Sequence, residues 1–247
     1  MTNPSVLLSR SDGVLTLTLH NPGARNALTD AMVAAVVAAL HSAPDDGATR
    51  AVVLAGTQPG FCAGQDRAVL RGLTTANVGA WVERLGGLYD AFRACPLPVV
   101  AAIGGAAAGA GLQMALCCDR RIASPAARLL QPEILAGLAS IMGPTLIGMH
   151  VGLGVTQRLA LACETLEAET ARDLRLLDEI VPSESLLPKA EAAARKMATA
   201  DLTAFRLTKA WLREQTEPAF RAAIAMGLTS QAEAVASGAI GRALGAA

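Results

Sequence analysis

The sequence predicts an α/β fold, with a core of strands and helices over residues 1–182 and a helical region over residues 183–247. Two observations support this division. Short apolar or alternating segments, typical of strands, alternate with helical segments in the first half of the chain, whereas the pattern after residue 182 is helical throughout. A chain of 247 residues is long enough for one large domain, or for one core with a smaller appendage.

The strands are predicted from patterns of hydrophobicity. Residues 14–19 alternate between apolar and polar side chains, which is the period-two pattern of a half-buried strand. A turn follows at residues 21–23, where Pro and Gly occur together. Three short apolar runs are expected to form further strands, at residues 50–56, 99–103 and 121–123.

The helices are predicted from their start and stop signals. Thr29 is expected to cap a helix whose apolar run continues to residue 40. A loop is expected at residues 57–64, and a second helix covers residues 80–93, before Pro96 and Pro98. A glycine-rich loop at residues 104–111 leads into a third helix that reaches residue 118.

Beyond Pro125 the pattern becomes mostly helical. Helix starts are expected near Ser183, Thr203 and Pro218. The tail is predicted to form helices over residues 187–199, 203–213 and 218–236, and to cover another surface, such as that of a neighbouring subunit.

Charge and cysteine usage exclude several classes of protein. Lys+Arg and Asp+Glu each number 21, so no basic excess is present to bind the backbone of a nucleic acid. The five cysteines have no Cys-x-x-Cys spacing, which indicates reduced thiols and a cytoplasmic protein. The first residues lack the basic and apolar regions of a secretory signal.

Two uncharged stretches, residues 97–118 and 134–157, are long enough to be candidate membrane spans. Four glycines and Gln113 interrupt the first, and Pro144 and His150 interrupt the second. Both are therefore predicted to belong to the core of a protein without a membrane segment.

The glycine-rich loop at residues 104–111 can hold an anion. It follows an apolar strand and precedes a helix, so unpaired backbone N–H groups and the positive end of the helix dipole would face a ligand. Close packing of helix against strand is an equally good explanation of the glycines. A dinucleotide fingerprint fits less well, because Met114 occupies the position of its third glycine.

A second loop of the same kind lies at residues 59–66 (PGFCAGQD), after an apolar strand and before a possible helix. Two such loops can each direct one backbone N–H at a single carbonyl oxygen. Paired donors of this kind stabilise an enolate or a tetrahedral oxyanion.

Several motifs in a fixed order make the sequence similar to the enoyl-CoA hydratase/isomerase (crotonase) superfamily. They are residues 21–28 (NPGARNAL), 61–66 (FCAGQD), 98–105 (PVVAAIGG), 118–123 (CDRRIA), 131–133 (QPE), 166–171 (LEAETA) and 177–182 (LDEIVP). The resemblance covers nearly the whole chain. It implies a crotonase-like spiral of ββα units and a homotrimer or a hexamer built from two trimers.

The resemblance also implies a site for an acyl-CoA thioester, with CoA as part of the substrate and no permanently bound cofactor or metal. It places the two oxyanion-hole amides at Gln65 and Ala110. Many relatives have glycine in place of Ala110. It assigns contacts with CoA to the backbone of Ala63 and the guanidinium of Arg25, which could equally be a solvated surface charge. Asp66 is expected to border this site, as a cap of the following helix or as a solvated side chain.

The acid–base positions distinguish this chain from the hydratases of that superfamily, in which two glutamates twenty positions apart bracket the double bond. The matching residues here are Gln113 and Glu133. A glutamine amide does not titrate, so Glu133 is the one expected proton-transfer group. Alternatively, Glu133 is a solvated residue at a helix start, and Gln113 is bonded to backbone.

One carboxyl favours a reaction in which a single base takes and returns a proton. We therefore expect isomerisation of an enoyl-CoA double bond. Hydration, with Gln113 holding a water molecule, and decarboxylation or C–C bond formation through an enolate stay open, as does an inactive acyl-CoA binding protein. Cys62, beside the first loop, is expected to be a small buried thiol, and the three histidines show no metal-ligand spacing.

Overall fold

The computed structural model describes residues 3–57 and 60–245. Positions 58 and 59 of the expected loop 57–64 lie outside the described residues. The strands are β1 (Ser5–Ser11), β2 (Val14–His20), β3 (Ala51–Gly56), β4 (Val99–Ile103), β5 (Ala106–Ala108), β6 (Arg120–Ala123), β7 (Arg128–Leu130), β8 (Leu166–Glu167) and β9 (Glu179–Ile180). The helices are α1 (Asp30–Ser42), α2 (Arg67–Arg71), α3 (Val78–Ala94), α4 (Ala110–Leu116), α5 (Met142–Ala160), α6 (Ala168–Asp173), α7 (Leu186–Met197), α8 (Leu202–Ala236) and α9 (Ala239–Leu244).

The strands form two sheets. The larger has the order β1-β2-β3-β4-β6-β9, in which β1 pairs with β2 antiparallel and the other neighbours are parallel. The smaller has the order β5-β7-β8, and isolated bridges from Leu28 to Gln65 and from Cys62 to Ala107 run beside it. The chain repeatedly passes from the large sheet to this second layer and then into a helix, as a spiral of ββα units requires.

The central strands are covered on both faces. Every residue of β4 is buried, which explains its continuous apolar sequence rather than an alternating one. Leu15, Leu17 and Leu54 face the main core with α1 and α3. Val53 and Val100 face the other way and pack with Ala190 and Ala194 of α7.

The C-terminal helices pack on their own chain. Helix α7 covers the second face of the large sheet, and α8 packs along α3 and α5. The tail therefore has an intramolecular partner for its buried face. Residues on both sides of the predicted boundary at residues 182–183 pack in the same cluster, so the division of the chain at this point stays a prediction.

One expectation for the tail, the helix break at Pro218, was wrong. Helix α8 begins at Leu202, within one residue of the predicted start, after Asp201, whose carboxylate accepts a hydrogen bond from the Ala204 N–H at 2.9 Å. The helix also continues through Pro218, so the two predicted helices are one. Contacts next to the proline offset the hydrogen bond that it cannot donate. The Arg93 guanidinium of α3 lies 3.9 Å from the centroid of the Phe220 ring and pairs with Glu217 at 3.0 Å.

Short strands were missed where the sequence pattern is weak. Strand β1 is an edge strand with mostly exposed side chains, so it lacks an apolar face. Strands β5 and β7 have three residues each, in regions predicted to be loop and mostly helix.

The two uncharged stretches belong to the folded core. The first contains β4, β5 and α4, and the second contains most of α5, in which Gly152 has a non-helical φ of 73°. No helix among the described residues is long and apolar enough to cross a membrane.

Candidate active site

A cavity of about 680 Å³ lies between the two glycine-bearing loops, α3 and the C-terminal helices. All seven residues that the sequence assigned to the site line it: Arg25, Ala63, Gln65, Asp66, Ala110, Gln113 and Glu133. They come from four separate segments of the chain, so the fold assembles them.

Backbone hydrogen bonds hold the two loops together. The Cys62 N–H donates to the Ala106 carbonyl at 3.0 Å, and the Ala108 N–H donates to the Cys62 carbonyl at 2.9 Å. A Cβ on Gly111 would collide with the Cys62 carbonyl oxygen and would lie 2.8 Å from the Cys62 Cβ. Glycine at position 111 is therefore required by the close approach of the loops.

The N–H groups of Gln65 and Ala110 are both available for a ligand. Neither donates to an acceptor among the described residues. By contrast, the amide of Leu28, across the isolated bridge from Gln65, and the amide of Asp66, next along the chain, are both paired. Gly64 has a φ of +92°, and a Cβ placed there would lie 3.7 Å from the Ala110 nitrogen. Because Gly64 has no side chain, the Gln65 and Ala110 amides can lie close together.

Gln113 and Glu133 are in direct contact. The Gln113 Nε2 donates to Oε1 of Glu133 at 2.6 Å, and Gln113 is buried in α4. The Ser140 hydroxyl lies 3.4 Å from the other carboxylate oxygen and accepts a hydrogen bond from Nε2 of Gln131 at 3.1 Å. A Cβ on Gly109 would lie 3.2 Å from Oε1 of Glu133, so the carboxylate sits beside the start of α4.

Burial raises the pKa of Glu133 from 4.5 to about 7, and hydrogen bonds from its own backbone N–H and from the side chains of Ser140, Gln131 and Gln113 oppose that shift only partly. Desolvation disfavours the charged carboxylate more than these neutral donors stabilise it. A carboxyl with a pKa near neutrality can both take and return a proton at physiological pH. The arrangement suits a reversible proton transfer.

The raised pKa predicts opposite pH trends for activity and for stability. Turnover that needs the carboxylate should rise with pH and level off above about 7. The folded state keeps this proton to higher pH than the unfolded chain, so the contribution of Glu133 to stability is full below pH 4.5 and declines as pH rises to about 7. The free energy of unfolding, measured with denaturant for wild type and Glu133→Gln at pH 5 and pH 8, tests this. Relative to wild type, the variant should be more stable at pH 8 than at pH 5. A pH-independent difference would contradict the assignment.

The three residues assigned to CoA lie at the rim. Arg25 is exposed, with a left-handed φ of 52°. The Ala63 N–H donates to the Arg25 carbonyl at 3.1 Å, so only the Ala63 carbonyl stays available to a ligand. Asp66 caps α2 by accepting a hydrogen bond from the Ala68 N–H at 2.8 Å, as one of its two interpretations predicted.

Several residues of the site were missed by sequence reasoning. Ser140, Tyr89 and Trp81 line the cavity, as does Gln231 of α8. Trp81 and Tyr89 stand eight positions apart on one face of α3, a spacing that core residues share. Ser140 and Gln231 reach the site through tertiary packing, for which the sequence carries no local signal.

Cys62 is a buried thiol, as expected. It is fully buried, and burial raises its pKa to about 12, so the thiolate that a nucleophile needs is disfavoured. The described residues contain no group of three or more His, Cys, Asp or Glu side chains that could hold a metal ion.

Comparison with known proteins places this chain and its fold in one family. The sequence model of the enoyl-CoA hydratase/isomerase family matches residues 9–242. A crystal structure of an enoyl-CoA hydratase from Mycobacterium avium subsp. paratuberculosis K-10 superposes with a TM-score of 0.87 at 25% identity, covering 98% of both chains. The predicted crotonase-like fold is confirmed by this match.

Two curated relatives have different reactions in their names. Carboxymethylproline synthase of Pectobacterium carotovorum subsp. carotovorum is 32% identical over 206 residues, 83% of this chain and 82% of the relative. The 2,3-dehydroadipyl-CoA hydratase of Escherichia coli K12 is 32% identical over 222 residues, 89% of this chain and 86% of the relative.

The chain belongs to the enoyl-CoA hydratase/isomerase family. It is an acyl-CoA-processing member of the crotonase superfamily.

Proposed function

We propose that this protein isomerises the double bond of an enoyl-CoA, with Glu133 as its one acid–base residue. The observation that carries the proposal is the 2.6 Å hydrogen bond from the Gln113 amide to the Glu133 carboxylate. It pairs a group that titrates with one that does not, so one carboxyl is available where hydration by the superfamily's mechanism uses two.

The proposed reaction moves one proton between two carbons of the acyl chain. The Glu133 carboxylate removes a proton from the carbon next to the double bond, and the electron pair shifts onto the thioester oxygen. The Gln65 and Ala110 amides stabilise that oxyanion. The protonated Glu133 then returns the proton to the other end of the dienolate, which regenerates the carboxylate and shifts the double bond.

The rim of the cavity supports a CoA ester as the substrate. Exposed Arg25 and Arg67 can pair with CoA phosphates, and the Ala63 carbonyl can accept a hydrogen bond from the adenine amino group. The reaction needs no permanently bound cofactor. The trimer or hexamer implied by the resemblance remains part of this proposal, as does a cytoplasmic location.

Incubation of the protein with 3-hexenoyl-CoA tests the reaction. We expect 2-hexenoyl-CoA, detected by the ultraviolet absorbance of its conjugated thioester and by an unchanged mass. In D₂O the product should carry solvent deuterium only to the extent that Glu133 exchanges with solvent. Tight binding of the ester with neither isomerisation nor exchange would contradict the proposal and favour an inactive acyl-CoA binding protein.

The same enolate supports a second reaction, C–C bond formation after decarboxylation of a malonyl thioester. The similarity to carboxymethylproline synthase favours this candidate. Malonyl-CoA supplied alone should then lose CO₂ and yield acetyl-CoA. Mass spectrometry of the products separates this outcome from isomerisation, which leaves the mass unchanged, and from hydration, which adds one water.

Restoring a second carboxyl tests the role of Gln113. Gln113→Glu is expected to create or raise addition of water to crotonyl-CoA, because the pair would then share a proton and one partner could act as the acid. Gln113→Met, which removes the amide without adding a carboxyl, is the matched control. If the glutamate variant folds and binds crotonyl-CoA but forms no more 3-hydroxyacyl product than the methionine variant, Gln113 is not what prevents hydration.

A further inference from the structure

The phenol of Tyr89 is an unpaired polar group in the wall of the active-site cavity. Tyr89 is the single tyrosine of the sequence, is fully buried on α3 and lines the cavity. Its hydroxyl has no hydrogen-bond partner among the described residues. Phenylalanine would fill the same space without leaving a buried hydroxyl unpaired, so the hydroxyl calls for an explanation outside the packing of the core.

The neighbouring aromatic residue on the same helix face shows the contrast. The Trp81 Nε1 donates to Oε1 of Gln65 at 3.2 Å, so the indole is paired. That bond fixes the orientation of the side-chain amide of Gln65. The Gln65 Nε2 is then left buried and without a partner, in the same cavity.

The cavity thus holds two unpaired donors at two places on its wall, and both are neutral. Its charged lining residues, among those described, are Glu133 inside and, towards the rim, Arg25, Asp66 and Arg67. A carboxylate at the end of an acyl chain would meet no cation in the interior and would be repelled by Glu133. A carbonyl or hydroxyl oxygen would pair with the donors without a charge to bury.

The protonation state of Tyr89 suits a donor. Burial raises the pKa of its phenol well above 10, and the nearby Glu133 carboxylate raises it further. The hydroxyl therefore keeps its proton throughout the pH range in which Glu133 works.

We propose that the acyl group of the substrate carries an uncharged oxygen, a ketone or a hydroxyl, and that Tyr89 selects it by donating a hydrogen bond. This inference rests on the proposed function, because it takes the acyl chain to lie in the cavity beside Glu133. Tyr89 is then a residue that determines specificity rather than one that takes part in the proton transfer.

Binding of saturated esters tests the selection apart from catalysis. Calorimetry would compare pentanoyl- with 4-oxopentanoyl-CoA and hexanoyl- with 5-oxohexanoyl-CoA, on wild type, Tyr89→Phe and the apolar wall control Leu85→Met. We expect wild type to bind one oxo ester about 10-fold more tightly than its hydrocarbon partner, the magnitude of one hydrogen bond. Tyr89→Phe should lose that preference and keep its affinity for the hydrocarbon ester, whereas Leu85→Met should keep the preference.

The single tyrosine gives a second readout that needs no variant. Protein labelled with 3-fluorotyrosine should show one ¹⁹F resonance, which shifts with the preferred oxo ester and stays near its free position with the hydrocarbon ester. Equal affinities in wild type, or a preference that survives in Tyr89→Phe, overturn the inference and leave the proposed function intact. Binding of none of the four esters overturns the proposed function, and the inference with it.

Discussion

Replacing Glu133 by glutamine is expected to lower turnover by about 10²-fold or more, which is the usual scale of a lost general base. The substitution keeps the shape of the side chain, and its amide oxygen can still accept the hydrogen bond from Nε2 of Gln113. It removes the group whose pKa burial raises to about 7. Binding of acyl-CoA esters should survive, because the oxyanion-hole amides and the rim are unchanged.

Kinetics of 3-hexenoyl-CoA conversion, together with calorimetry of hexanoyl-CoA, would measure the two effects separately. Glu184→Gln is the matched control, since Glu184 is exposed and does not line the cavity. Turnover near that of wild type in Glu133→Gln would eliminate the single-base mechanism. Equal losses in both variants would point to a general effect of the exchange rather than to the active site.

A methyl group on Gly111 is expected to lower turnover by about 10²-fold, the scale of one lost oxyanion-hole donor. The added Cβ would collide with the carbonyl oxygen of Cys62, so the loop at residues 61–66 must move away from α4. That movement changes the separation of the Gln65 and Ala110 amides, on which stabilisation of an oxyanion depends. The thermal unfolding temperature should fall as well, because both partners in the collision are buried.

Gly60→Ala is the control for this effect. It makes the same exchange at the residue before Phe61, where the added Cβ would meet no atom of the described residues within 4 Å apart from its chain neighbours. Circular dichroism and thermal unfolding of both variants would show whether Gly111→Ala is folded at the assay temperature. If folded Gly111→Ala turns over like Gly60→Ala, the separation of the two amides does not limit the reaction.

The sequence predicted the central sheet well because its signals are local. The apolar runs at residues 50–56 and 99–103 coincide with β3 and β4 to within a residue. The failures arose where tertiary contacts decide the outcome. The sequence predicts a helix start at Pro218, yet the helix continues through it, because Glu217 and Phe220 contact Arg93.

The candidate site divides in the same way. Residues within motifs, such as Gln65 and Glu133, could be assigned from the resemblance, and the structure places them in one cavity. Tyr89 and Ser140 could not, because their position in the cavity depends on how α3 and the segment after Glu133 pack against the rest of the chain. The contact between Gln113 and Glu133 was not predicted either, although both residues were singled out.

The attachment of the C-terminal helices to the segment after Glu133 has a consequence for biosynthesis. The Gln231 side chain holds both the N–H and the carbonyl of Ala139, and the backbone of Ala239 packs directly against Gly137. The acid–base residue Glu133 is translated about one hundred residues before Gln231 and Ala239, which hold its segment in place. A nascent chain that stops before Gln231 therefore contains every proposed catalytic residue and lacks the contacts that fix the segment carrying Glu133. We therefore expect Glu133 to reach its final position only after Gln231 and Ala239 have been translated and have packed against its segment.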